Sequence, residues 1–98
     1  MKLFEILIPV ADNTGKAFPS VHNRQWEKTV RDTAGGLSAL PIIQGQWVDQ
    51  GKVFAEKMRP VRIACSARKI KWLAEYAKRH FSQFSIMYYP ISQDVRFV

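Results

Sequence analysis

The succession of patterned segments along this chain, strand, helix, strand, strand, helix, strand, predicts an α+β protein of ferredoxin-like βαββαβ arrangement. That arrangement is a four-stranded antiparallel sheet with both helices on one face. Three observations carry the prediction. Apolar residues alternate with a period of two over Lys2–Val10 and again at Val61, Ile63 and Cys65. They recur near a period of 3.6 over Ser66–Phe81, where Ile70, Leu73, Ala74, Ala77 and Phe81 fall on one side of a helix. Between the periodic segments stand clusters of Gly, Pro, Asn and Asp that close turns.

Taken in order, Lys2–Val10 carries Phe4, Ile6 and Ile8 on one face and Leu3, Glu5 and Leu7 on the other, so a central strand is expected. Ala11–Pro19, with Asp12-Asn13-Thr14-Gly15 inside it, reads as a loop. Ser20 is the expected N-cap of a first helix that runs to Ala34 and stops at Gly35-Gly36. Its apolar side is thin, Trp26 and Val30 among Thr29, Thr33 and Ala34, so it should lie on the sheet as a shallow cover; Glu27/Arg31 and Lys28/Asp32 pair at i, i+4. Leu37–Val48 reads as extended, with Pro41 placing it at an edge or forcing a bulge. Asp49-Gln50-Gly51-Lys52 is a hairpin turn, Gly51 suiting the left-handed position. Val53–Cys65 returns as a long strand, expected to break or bulge near Pro60. Ser66 caps the second helix, Ser85–Tyr89 is the last strand, and Pro90 ends it. Val95–Val98 reads as an extra edge strand or a docking tail.

At 98 residues the chain is sized for one domain, 1–98, and for one core, without room for a buried cleft and a lid. With 47% hydrophobic and 23% charged residues, the composition is that of a folded globule. The net charge of +7 is uneven: residues 1–50 hold five Lys or Arg against five Asp or Glu, and residues 51–98 hold ten against three. Such a field attracts phosphate, an anionic membrane or an acidic protein, and composition does not choose among them. Cys65, alone, excludes an internal disulfide and any multi-cysteine zinc site. The opening MKLFEILIPV is short for a signal core and interrupted by Glu5, and no apolar run approaches the ~20 residues of a bilayer span. A cytoplasmic protein without a membrane partner is expected.

The strongest functional signal is the outward side of the second helix. Trp72 and Tyr76 stand one turn apart among Arg68, Lys69, Arg79 and His80. Bases stack on such rings while cations contact phosphates, and a protein partner would use the same residue types. Rotation of the helix, or a covering tail, would instead make both aromatics core. Arg68, Lys69 and Lys71 also crowd the helix start, where the dipole disfavours positive charge by ~0.3–1 kcal/mol each. An anion held by Ser66, Arg68, Lys69 and the backbone N–H groups would offset that, as would side chains splayed into water. The candidate binding residues are therefore Arg68, Lys69, Trp72, Tyr76 and Arg79, with an anion site at Ser66, Arg68 and Lys69.

Other chemistry is thinner. Cys65 precedes a basic helix start, which lowers a thiol pKa, but a phosphatase-like loop needs Arg six positions on, and Lys71 stands there. Strand alternation makes it a buried structural thiol. His22 and His80 lie at ends of different helices without metal-ligand spacing. Glu5, among Leu3 and Leu7, is either a general base on an open sheet face or the partner of a strand neighbour such as Arg62. No phosphate loop, nucleophile elbow or metal cluster is present. No catalytic residue, metal or cofactor is expected.

Gly36-Leu37-Ser38, Gly45-Gln46-Trp47-Val48-Asp49, Gly51, Glu56 and Tyr76-Ala77-Lys78-Arg79-His80-Phe81-Ser82-Gln83 together resemble a widespread family of short bacterial proteins of unknown function. That family shows G-L-T/S, a G-x-W before a turn, a Glu shortly after it, and a Tyr-plus-basic helix end running into Phe and Gln. The resemblance spans roughly residues 20 to 90 and implies no activity. It implies that Gly45, Trp47 and Glu56 form a shared structural corner.

The expectation is thus a small non-enzymatic protein, homodimeric through the open sheet face, whose basic second helix meets nucleic acid. Two alternatives accompany it. One is a phage or mobile-element module that binds an acidic surface of a host protein. The other is a dimeric small-ligand binder or enzyme using the open face around Glu5, Trp47 and Tyr89.

Overall fold

The computed structural model describes residues 1–98 and has the ferredoxin-like element order. β1 (Lys2–Pro9), α1 (Ser20–Ala34), β2 (Ser38–Ala39), β3 (Ile43–Asp49), β4 (Lys52–Cys65), α2 (Ala67–His80) and β5 (Tyr88–Ser92) follow one another. The sheet runs β2-β4-β1-β5, β3 pairs the outer length of β4, and every pairing is antiparallel. The predicted second strand is therefore two: residues 40–42, with Pro41 among them, interrupt it between β2 and β3.

Period-two alternation puts Phe4, Ile6 and Ile8 of β1 and Val61, Ile63 and Cys65 of β4 on one face. Trp26 and Val30 of α1 and Ile70, Leu73, Ala74 and Ala77 of α2 close over it, and Phe81 fills the seam. Each large apolar side chain buried here contributes roughly 1.5–3 kcal/mol. Every residue predicted for the α2 stripe is in this core. Phe81 meets the rings of Phe18, His22, Trp26 and His80 edge-on, which anchors the C-terminal end of α2 against α1. No helix is long and apolar enough to cross a membrane.

Three local expectations are corrected. Ser20 is the first helical residue of α1, and the cap position falls to Pro19, which makes no side-chain cap bond. β4 neither breaks nor bulges at Pro60, which pairs in register with Leu7. Its carbonyl accepts from Leu40 N at 2.9 Å, so its missing N–H faces the same side, where β2 has ended and β3 has not begun. The last strand starts at Tyr88 and continues through Pro90, which an edge strand tolerates; the register shifts between Leu3 and Phe4. Of the two readings of Val95–Val98, the edge strand does not form, and Val95 and Phe97 line a hollow beside Leu3 and Arg62.

Beyond the Ile43–Met58 pair, β3 and the first half of β4 continue as a two-stranded arm that no helix covers. Gln50 and Gly51 close it with φ of 51° and 75°, the paired left-handed geometry of a type I′ turn. Near its tip it carries an apolar cross-strand pair on each face, Trp47 with Phe54 on one and Val48 with Val53 on the other, among polar residues such as Gln44, Gln46 and Lys57; Val48 is 68% exposed. A ribbon of this kind is marginally stable alone in water. The arm gives the molecule its elongated extents of 45 × 30 × 23 Å.

Candidate functional site

Antiparallel register places the residues of the helix-free face in rows. Glu5 stands opposite Arg62 and Tyr89, Leu7 opposite Pro60, Ile43 opposite Met58, Gly45 opposite Glu56, and Trp47 opposite Phe54. Because alternate residues share a face, Phe54, Glu56, Met58, Pro60 and Arg62 form one continuous stripe along β4. At the body end of the stripe Glu5 is only 8% exposed. Its carboxylate accepts from Arg62 Nε at 3.1 Å and from the Tyr89 hydroxyl. Of the two readings of Glu5, the structure supports the partner of Arg62. The hydrogen bond to Glu5, with burial second, raises the Tyr89 hydroxyl above its ordinary pKa.

At the arm end the Trp47 and Phe54 rings stack at 5.7 Å and 16°, and the Lys52 ammonium lies 5.7 Å from the Phe54 centroid. Glu56 sits in the next row with no ion pair, and burial raises its carboxyl pKa. Opposite it, Gly45 leaves bare backbone: a Cβ there would lie 2.5 Å from Met58 Cε. The residues singled out as a structural corner are thus one side of the arm, with a lone carboxylate between an aromatic pair and a methionine.

On α2 the predicted residues divide. Arg68, Lys69 and Arg79 are exposed, and Trp72 is 47% exposed. Tyr76 turns into the seam between the helices, stacked on Trp72 at 5.8 Å and on Trp26 at 6.1 Å. His80 is drawn in as well, its ring 3.7 Å from that of His22. Glu75, overlooked in the sequence reading, lies on the outward side with Arg68, Trp72 and Arg79 and offsets one of the cations. At the helix start Ser66 Oγ accepts from Lys69 N at 3.2 Å and Ser66 O from Ile70 N at 3.1 Å, so the predicted anion site is already partly satisfied by its own cap. Ser66 and Lys69 join Lys2, Ala34 and Cys65 around a shallow hollow of about 520 Å³. Burial raises the Cys65 thiol pKa, the direction of a structural cysteine.

The His22–His80 pair was not legible from spacing. Each Nε2–H donates to the other residue's backbone carbonyl, at 2.8 Å from His80 to His22. Antiparallel helices on one face put the start of α1 beside the end of α2, and that topological fact was the available signal. No three His, Cys, Asp or Glu side chains converge as a metal site would require.

No protein-family model matches the chain, and no curated protein does. Solved structures do. The divalent cation tolerance protein of Thermus thermophilus superposes with a TM-score of 0.66 at 15% identity over 96% of this chain and 86% of its own. The periplasmic divalent cation tolerance protein CutA of Archaeoglobus fulgidus gives 0.70 at 12% over 98% and 86%. A phage SAM lyase in complex with S-methyl-5′-thioadenosine gives 0.68 at 17% over 96% and 85%. At such identities the likeness is one of fold, and the ferredoxin-like architecture is what it establishes.

Proposed function

We propose that this chain self-associates through its helix-free sheet face and arm, at least as a homodimer, and that the assembled face binds a small molecule. The observation that carries the proposal is the stripe along β4. A Glu5–Arg62–Tyr89 cluster in which Glu5 is buried, an apolar waist and a lone Glu56 beside Trp47 and Phe54 lie on one face of the sheet, along β4 and its neighbours. An uncovered arm with an exposed apolar pair on each face calls for a protein surface against it. Flat aromatic pairs receive a heteroaromatic ring, and a neighbouring carboxylate suits ribose hydroxyls or a sulfonium cation. The likeness to a SAM lyase holding S-methyl-5′-thioadenosine makes that thioether and its sulfonium parent the first ligands to try. Calorimetric titration should give saturable binding that Trp47→Ala abolishes and Glu56→Gln weakens; no heat with either compound removes this ligand class.

A second reading is favoured by the exposure of Trp72 between Arg68, Lys69 and Arg79. On it, α2 contacts an anionic macromolecule, nucleic acid before an acidic protein surface. Helices on one face leave α2 outermost when the other face is assembled, so the two readings are compatible. Affinity for nucleic acid should fall steeply with salt. Retention of a stoichiometric protein from nuclease-treated lysate, lost on Trp72→Ala, would point to the acidic protein instead.

A further inference from the structure

Five rings follow one another along the seam between α1 and α2. Phe18 stacks on His22 at 5.2 Å, His22 on His80 at 3.7 Å, His80 on Tyr76 at 5.3 Å, and Tyr76 on Trp72 at 5.8 Å, all within 10° to 16° of parallel. The column is held from both sides. Reciprocal Nε2–H bonds to backbone carbonyls fix the two imidazoles, the Tyr76 hydroxyl stands 3.4 Å from His80 Nδ1, and Trp26 lies parallel to Tyr76 at 6.1 Å. Trp72 ends the column at the surface. One face of its indole rests on Tyr76, and no other ring stacks on it.

Around that open end stand Arg68 one turn earlier, Lys69 beside it and Arg79 two turns on, none of them in an ion pair; Glu75 is the single acid on the same side. Lys71 and Lys78 flank the stripe. We propose that the outer end of this ring column is a stacking platform for an unpaired base, so that α2 binds single-stranded nucleic acid in preference to duplex. The inference rests on the second reading above and names its partner more narrowly. A base must leave its own stack to reach the indole, which a single strand permits at little cost and a duplex does not. Because the supporting rings are already ordered, little side-chain entropy is lost on stacking. An acidic protein surface would use the same residue types, and the oligonucleotide comparison below separates it from a nucleic-acid strand.

The experiment uses the full chain, a fluorescein-labelled oligothymidylate and a duplex of equal length, read by anisotropy across a salt series. Quenching of indole emission is followed in a Trp47→Phe background and assigned to Trp72 by its loss when Trp72→Phe is added, since Trp26 also emits. The single strand should bind more tightly than the duplex, with quenching of Trp72. Trp72→Ala should weaken single-strand binding on the order of 5- to 150-fold without changing the salt slope. Trp72→Phe should recover most of that loss, and Arg68→Ala should lower the salt slope by about one. Thermal melting checks that each variant stays folded. Equal affinity for duplex and single strand, or unchanged affinity in Trp72→Ala alongside a salt effect of Arg68→Ala, overturns the stacking platform and leaves a charge-based contact standing. Absence of binding to either oligonucleotide at low salt overturns both.

Discussion

Arg62→Ala tests the centre of the open face directly. The substitution removes the donor 3.1 Å from Glu5 Oε1 and leaves a carboxylate that is 8% exposed with the Tyr89 hydroxyl as its remaining partner. An acceptor left short of partners costs about 1–3 kcal/mol, and breaking a fully buried ion pair about 3–5 kcal/mol. The Arg62 side chain is 42% exposed, so water screens the pair, and the isolated chain should lose about 1–2 kcal/mol. For a domain of this size that is a fall in Tm of roughly 4–8 °C per kcal/mol. If a second copy covers the face, the loss moves toward the buried-pair range and becomes dependent on protein concentration. Urea denaturation of the wild type, Arg62→Leu, Glu5→Leu and the double variant supplies the cycle. The double variant should be less destabilised than Arg62→Leu, since an apolar pair of similar volume replaces a broken one. A single-variant change within about 0.5 kcal/mol, the scatter of ordinary surface sites, would refute the claim that Glu5 is desolvated and held by Arg62.

Phe81→Ala should cost about 3–5 kcal/mol, because the ring is fully buried where four other rings meet it edge-on, and calorimetry should show the change as a large drop in Tm. Cys65 should resist alkylation by iodoacetamide in the folded chain and react at once in urea, since burial hides the thiol and raises its pKa. Glu56 has a folded pKa above its unfolded one, so the folded state holds the proton more tightly. Stability should therefore decline as pH rises from below the ordinary carboxylate range through the raised value, and Glu56→Gln should flatten that part of the profile.

What sequence made visible was whatever a single element decides by itself. The α2 stripe, the β1 alternation, the Gly51 turn and the Ser66 cap each follow from local periodicity or one backbone requirement, and each stands as expected. Pro60 was misread because its effect depends on which neighbour its nitrogen faces, and that neighbour is a gap between β2 and β3, strands far from it in sequence. Tyr76 and His80 lie on the flank of α2, where helical periodicity leaves the choice between solvent and seam to the helix alongside. Trp26, His22 and Phe18, from α1 and the loop before it, make that choice. The Glu5–Arg62 partnership was legible because opposed charges on paired central strands have few other places to go. The lone Glu56 was not, since its isolation is set by the length of an arm that leaves the body of the fold.

The most direct measurement is the mass of the particle in solution by light scattering across a dilution series, for the wild type and for Phe54→Lys. Assembly through the open face and arm predicts a mass of at least two chains, reduced toward one when a charge is placed beside Trp47. A wild type that scatters as a single chain at every concentration, with Phe54→Lys unchanged, would mean that the stripe faces water and that neither an assembled site nor its ligand can be sought there.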